Sequence, residues 1–385
     1  MSKRLGVVWD ADPHTIAKIA ILKNYLHVWF RILGKTRRAQ TLLYVDGFAG
    51  PGYYKNHNEG SPLAALSTAN GAIAELGDAF VARSLHCAFI EKEKPRFDEM
   101  CEAVEPYLGR SKIGVTKVHG EFVNGIEEVK KAVPGPFRGD GPLFLFADPF
   151  GGTGIPFTAF ASCMQADTAE LLINLDADGI ARIFAAESNN GRERQLTELF
   201  GSDCWQQKLT ARSDMKQLSL QILALYKDQL RALPGVRYIW SFAMRGKADT
   251  LNYHLVFATK HPLGLEKMKE AMRAIDKTGA YLFSDAHVDQ HVLFRADDAE
   301  VFAEQMFKKF DGQQISMDDV TTYALNETPF LNPKAMLASL DSTGRILIQP
   351  RPGEKLRASS YPEEKISSIR FGHFALTGRQ SELGI

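Results

Sequence analysis

Charge imbalance is missing from this chain. Its 385 residues carry 46 basic and 46 acidic side chains, for a formal net charge of zero. A polycation built to bind nucleic acid indiscriminately is therefore excluded. Cysteine is scarce. The four present, Cys87, Cys101, Cys163 and Cys204, form no C-x-x-C pair and have no histidine at metal-ligand spacing, so zinc and iron–sulfur sites are not indicated. Cys87 and Cys163 lie among apolar or small residues and read as core thiols. No apolar run approaches the roughly 20 residues of a membrane span, and the N-terminus has no signal-peptide pattern. The expectation is a cytoplasmic protein in a reducing setting, without membrane contact. Internal repeats, low-complexity tracts and the G-K-[ST] of a P-loop are also lacking.

What is present is an alternation of apolar strands and amphipathic helices. Residues 13 to 33 place Ile16, Ile19, Leu22, Leu26, Trp29 and Leu33 at helical spacing behind Pro13, a residue suited to a first turn. The first forty residues are locally basic, with Lys3, Arg4, Lys18 and Lys23 among them. They read either as a solvated helix face or as a surface for phosphate. The strands TLLYVD, SLHCAFIE, KIGVTKVHGEF, PLFLFA and AELLINL alternate with helical segments, with Ser61 expected to cap the one that begins SPLAAL. Alternation of this kind predicts a Rossmann-like, mostly parallel α/β sheet with helices on both faces. RYIWSFAMR and LNYHLVFATK read as a late antiparallel pair. After about residue 280 the alternation stops. Two short helices, a strand and a Pro/Gly turn then suggest a small winged-helix-like unit. The expected domains are residues 1–280 and 281–385.

Strand ends carry the candidate chemistry, because open α/β sheets bind ligands at the carboxyl edge of their strands. The first is Asp46-Gly47-Phe48-Ala49-Gly50-Pro51-Gly52. Glycines there let backbone N–H groups approach a ligand. An acidic strand end accepts a hydrogen bond from an ammonium-bearing ligand such as S-adenosylmethionine and weighs against a phosphate. Glu91 ends the second strand, where a carboxylate holds ribose hydroxyls. Glu121 and Phe122 follow the third and are candidates for the adenine amino group and ring. Asp148-Pro149-Phe150 closes the most apolar strand, beside the group to be methylated. Amino-group methyltransferases often end this strand in Asp or Asn, two prolines and an aromatic. Here there is one proline, and the aromatic comes one place early. His14, Lys18 and Asn174 are candidate pocket-lining residues, and Asp176 and Arg182 lesser ones. At each position a structural role, as turn, cap or solvated carboxylate, is the competing reading. No metal site is expected.

These residues together resemble the three-Cys-motif partner family. The resemblance rests on PHTIAKIAILKNYLHVWFRIL, on YVDGFAGPGYY with GSPLAAL after it, on FIEKE, on FADPFG, and on NYHLVFATKHPLG. These run in the same order from about residue 10 to 275. The resemblance implies a class I methyltransferase-like fold in a pairwise bacterial or phage system. The suspected partner is a radical-SAM-like protein carrying three cysteines. The similar C-terminal TPFLNPKAMLASLDSTGRI adds a surface for nucleic acid or protein.

The leading function is S-adenosylmethionine-dependent methyl transfer to nucleic acid or to a substrate shared with the three-Cys-motif protein. The alternative is a non-catalytic binding protein that keeps the fold. A hydrolase using scattered carboxylates such as Asp148 and Glu170 comes last.

Overall fold

A computed structural model of the chain describes residues 6–149, 155–186, 191–210, 214–246, 251–276, 281–284, 298–357 and 360–374. They form two compact units, one running through the strand that ends at Ser284 and the other starting at Asp298.

The first unit opens with α1 (Pro13–Thr36), β1 (Thr41–Asp46), α2 (Ser61–Leu76), β2 (Ser84–Glu91), α3 (Lys94–Val104), β3 (Ile113–His119), α4 (Phe122–Ala132) and the single turn α5 (Pro134–Phe137). It continues with β4 (Leu143–Ala147), α6 (Phe157–Cys163), β5 (Ala169–Leu175), α7 (Ala177–Ala185), α8 (Arg192–Phe200), α9 (Trp205–Lys208) and α10 (Met215–Arg231). It closes with β6 (Tyr238–Arg245), β7 (Leu251–Thr259), α11 (Pro262–Ile275) and β8 (Leu282–Ser284). The strands order as β3-β2-β1-β4-β5-β7-β6-β8. β7 runs antiparallel to both neighbours, and every other pairing is parallel. β8 adds to this sheet beyond residue 280, covering the edge that the sequence left to β6 and β7.

The central strands are apolar on both faces because helices cover both. In β1 and β4, Leu43, Val45, Leu143 and Leu145 belong to the aliphatic core packed under α4, α6, α7 and α10. The alternate positions include the aromatics Tyr44, Phe144 and Phe146. Tyr44 stacks on Phe144 (centroids 6.0 Å apart, 15° between planes), and Phe144 in turn meets Tyr25 of α1 at 5.2 Å. Burying each of these rings contributes about 2–3 kcal/mol. That packing fixes α1, and with it Lys18, over the sheet.

Gly60, not Ser61, is the N-cap residue of α2. With Pro62 taking an early position, Ser61 falls inside the helix, and its hydroxyl instead approaches the Asp46 carboxylate.

The second unit comprises α12 (Ala299–Phe310), β9 (Gln314–Ser316), α13 (Met317–Glu327), α14 (Lys334–Ser342), β10 (Ile346–Pro350) and β11 (Ile366–Phe371). Its antiparallel sheet has the order β10-β11-β9. Ser316 caps α13 by accepting the Asp319 N–H at 3.1 Å. Phe310 packs against Tyr323 and Phe371, each at 5.3 Å, in a core of its own. α12, β9 and β11 are additions to the two helices and one strand read from the sequence. No described helix is long and apolar enough to cross a membrane.

Candidate functional site at the carboxyl edge of the sheet

β1 delivers Asp46 to the edge between β2 and β4, fully buried. One carboxylate oxygen accepts the Phe48 N–H at 3.1 Å; the other, Oδ2, has no hydrogen-bond partner among the described residues. Burial pushes this carboxyl up to about 7. The Ser61 hydroxyl and the Phe48 N–H pull against that shift, while the charges of Asp148 and Glu91 add to it. Ser61 acts on the group from nearby without a hydrogen bond of good geometry to Oδ2.

The loop after Asp46 is held by its neighbours. Gly47 N–H donates to the Phe146 carbonyl at 2.9 Å, and Ala49 N–H to the Ile90 carbonyl at 3.0 Å. Gly50 has φ +62° and open space where a side chain would stand. Gly52 has φ +91°, and its carbonyl accepts the Gly60 N–H at 2.7 Å. These two positions favour glycine on backbone grounds. Gly47 is constrained differently. A Cβ there would lie 2.5 Å from the ring of Phe122, which is itself stacked on half-buried Phe48 at 5.4 Å. Gly47→Ala is therefore expected to cost about 1–3 kcal/mol through overpacking, read as a lower thermal midpoint. Adding Phe122→Leu should recover part of the loss. A Gly47→Ala protein of unchanged stability would contradict this packing.

Glu91 ends β2, 6% exposed. Its carboxylate accepts the Gly50 N–H at 2.9 Å and the Glu93 N–H at 2.7 Å, tying the loop after β1 to the loop after β2. Glu121 stands at the start of α4 and pairs with Lys92 at 3.3 Å, both side chains well exposed. Phe122 is buried in the core.

Asp148 follows β4, with half-buried Pro149 after it. Phe150 lies outside the described residues. The Lys18 ammonium bonds Asp148 Oδ2, and the Asn174 amide donates to Oδ1 at 2.7 Å. That bond fixes the amide's orientation, leaving Asn174 Oδ1 buried with no partner among the described residues. Lys18 is 6% exposed, with the Tyr253 ring centroid 5.3 Å from its ammonium. His14 meets the same ring edge-on at 5.7 Å. Thus α1, β4, β5 and β7 bring His14, Lys18, Asp148 and Asn174 together. Asp176 instead caps α7 through the Gly179 N–H at 2.7 Å, and Arg182 is exposed. Glu170, grouped with Asp148 in the hydrolase reading, lies near the start of β5, while Asp148 follows the end of parallel β4. The two carboxylates therefore stand at opposite edges of the sheet and cannot share a reaction.

Sequence reasoning missed Tyr253 and Tyr54. Burial, with the charges of Asp148 and Asp46 nearby, raises the Tyr54 hydroxyl far above its ordinary range. Its ring meets Trp9 edge-on at 5.7 Å. The segment before α1 is clasped to this loop. Lys55 N–H donates to the Trp9 carbonyl at 3.0 Å, and Asn56 bonds both the N–H and the C=O of Ala11. For Tyr54 the available signal was an aromatic inside a polar loop; Tyr253 lies within β7. Among the described residues, no group of three or more His, Cys, Asp or Glu is arranged to hold a metal.

The strand order, with β7 antiparallel between β5 and β6, makes the first unit a Rossmann-like domain of the class I methyltransferase type. No protein-family model and no curated protein matches the chain. Among solved structures it is similar to the O-methyltransferase from Bacillus cereus in complex with SAH, at 12% identity over 65% of this chain and 83% of that one, with a TM-score of 0.33. It is similar also to the O-methyltransferase TomG from Streptomyces achromogenes in complex with SAM, at 11% identity over 66% of this chain and 92% of that one, TM-score 0.33. A third similarity is to an SAH-bound methyltransferase from Podospora anserina, at 9% identity over 66% of this chain and 99% of that one, TM-score 0.28. Similarities this loose carry nothing about chemistry.

Proposed function

We propose that the first unit is an S-adenosylmethionine-dependent methyltransferase, with its cofactor at Asp46–Gly52 and its acceptor at Asp148. The observation that carries this is the buried Asp46 carboxylate, whose Oδ2 has no partner among the described residues and which opens a loop with a positive-φ glycine beside open space. The residues fit a cofactor bearing positive charge. Asp148 and Glu91 lie close enough to Asp46 to raise its carboxyl, and a pyrophosphate would be repelled there.

In this reading Asp46 binds the cofactor's ammonium group. Gly47, Gly50 and Gly52 admit close approach, Glu91 uses its remaining acceptor capacity for the ribose, and Phe48, Glu121 and Phe122 border the adenine side. When bound, S-adenosylmethionine supplies the electrophilic methyl group. The chain contributes proximity and alignment. Asp148 and the free Asn174 Oδ1 offer adjacent acceptors, so they suit a nucleophile that donates hydrogen bonds, an amino or hydroxyl group. Pro149 borders the acceptor, and the Lys18 ammonium holds Asp148 in place. An amino-bearing base of nucleic acid, or a substrate shared with a three-Cys-motif partner, satisfies that requirement. The resemblance of residues 10 to 275 to the partner family supports this pairing. In the second unit, the order helix, strand, two helices and two strands supports the winged-helix-like reading, and with it a nucleic-acid or protein contact there.

One observation favours a non-catalytic binding protein instead: Asp148 already has Lys18 and Asn174 as partners. Titration calorimetry with S-adenosylmethionine and S-adenosylhomocysteine separates the two. Micromolar binding, with Asp148→Asn retaining it but losing transfer of labelled methyl to nucleic acid or to the three-cysteine protein, is the expected result. Absence of binding at millimolar cofactor, together with a salt-dependent shift on nucleic acid, would favour the binding protein.

A further inference from the structure

The sheet edge opposite the glycine loop carries a cavity that methyl transfer does not use. It opens between the second half of α1 and the start of α11, with a volume of about 290 Å³. That is close to the lower end of small-molecule sites, about 300–1,000 Å³. Val28, Trp29, Ile32 and Leu33 line one side and Leu263 the other. Most of what a ligand would touch is therefore apolar.

Glu170, another lining residue, is only 7% exposed. Its carboxylate oxygens accept from the Tyr25 hydroxyl at 2.7 Å and the Thr259 hydroxyl at 2.8 Å, and the Trp29 indole N–H stands near enough to favour the charged form. Gly264, in the first turn of α11, makes room for it, since a Cβ there would collide with Glu170 Oε1 and the Thr259 hydroxyl. These partners are hydroxyls and an indole N–H, none of them a cation. Burial raises the carboxyl above its ordinary range, and no positive charge contributes to the shift. A buried carboxylate without a counter-charge is costly, and a glutamine would tie α1, β5 and β7 together without that cost. The carboxylate also keeps acceptor capacity beyond its bonds to Tyr25 and Thr259, because it has about four lone-pair sites. The nearby Lys267 ammonium is committed to Glu266 at 3.0 Å and Glu270 at 2.8 Å.

We infer that this cavity binds a small amphipathic amine, its apolar body between Trp29 and Leu263 and its ammonium group on Glu170. The ligand supplies the counter-charge that the bonded partners of Glu170 lack; Arg37 and Lys267 line the same cavity, but neither contributes to the shift of Glu170. Glu170 and Asn174 are four residues apart on β5, roughly 13 Å along the strand, so the amine site is separate from the transfer site and stands or falls independently of it.

The test uses the full chain and three amines, tryptamine, phenethylamine and hexylamine, each against its neutral alcohol. Calorimetry is expected to show at least one amine binding about tenfold or more tighter than its alcohol, the increment of a charge-assisted hydrogen bond. Glu170→Gln should abolish that preference while the apolar body still binds, and Leu263→Trp should block both molecules. The inference is overturned if no amine outbinds its alcohol, or if Glu170→Gln keeps the preference. Should Glu170→Gln fail to fold, Leu263→Trp decides, and unchanged amine binding there rejects the site.

Discussion

Asp46→Ala is expected to weaken S-adenosylmethionine binding about 100-fold, the loss of a charge-assisted hydrogen bond from a desolvated site. The same substitution site should behave in the opposite sense in the free protein. Burial lifts the Asp46 carboxyl from 3.8 to about 7. In the unfolded chain it loses its proton near 4, so between those values the folded chain holds a proton that the unfolded chain has released. Stability of the free protein therefore falls as pH rises through that window and stays at the lower level above it. Asp46→Asn keeps an acceptor for the Phe48 N–H but has nothing to ionise. Its stability relative to the natural protein should rise by roughly 1 kcal/mol per pH unit across the window, up to a few kcal/mol. Denaturant midpoints at pH 5 and pH 8 measure this, and calorimetry on Asp46→Ala measures the binding. Natural cofactor affinity in Asp46→Ala would remove this pocket from consideration. A free protein more stable at pH 8 than at pH 5 relative to Asp46→Asn would show that Asp46 is not desolvated. The combination of a residue that costs stability and confers affinity is what a preformed cation site requires.

The sheet was legible because its strands are buried on both faces, which makes each a short apolar run with few alternatives. SLHCAFIE and AELLINL match β2 and β5 at both ends. β3 was readable despite its edge position, where only Ile113 is buried. Two of the strands that escaped notice are short. β8 and β9 have three residues each, too few for a periodicity. β11, IleSerSerIleArgPhe in sequence, alternates well enough, yet it follows a long Pro/Gly-rich connection that hides its pairing with β10. Ser61 shows a different limit. Pro62 behind it fits either a cap or a first-turn reading, and the backbone places Gly60 at the cap.

At the site, residues at strand ends were legible one by one, because topology alone sends them to the same edge. Their partnerships were not. The sequence separates Lys18 from Asp148 by 130 positions and Asn174 from Asp148 by 26. Helical spacing placed His14 and Lys18 on one face without indicating what they would meet. Glu91 gave no sign that its carboxylate would be taken up by backbone amides of two loops. Tyr253 read as one more apolar residue of a strand, because its contact with Lys18 depends on where α1 crosses β7.

The Lys18–Asp148 pair gives the other large expected effect. The side chains are 8% and 23% exposed, so removing one partner strands a charge in a largely dry site. Lys18→Met preserves the length of the side chain and its apolar contact with Tyr253 while deleting the ammonium. It is expected to cost about 3 kcal/mol, at the lower end for a broken buried pair because Asp148 retains some solvent and the Asn174 amide. Asp148→Asn should cost a similar amount by leaving the better-buried ammonium unpaired. Combining Lys18→Met with Asp148→Asn replaces two charges by two neutral groups. The double variant should be more stable than the sum of the single losses predicts, with a coupling of about 2 kcal/mol. Chemical denaturation of the four proteins closes the cycle. Two small, additive effects would mean that the pair is solvated and that Lys18 does not hold Asp148. Cofactor affinity supplies the separate functional readout. Lys18 touches Asp148 and not the glycine loop, so Lys18→Met should bind S-adenosylmethionine normally while losing methyl transfer. A matching loss of cofactor affinity would instead assign Lys18 to the integrity of the whole edge.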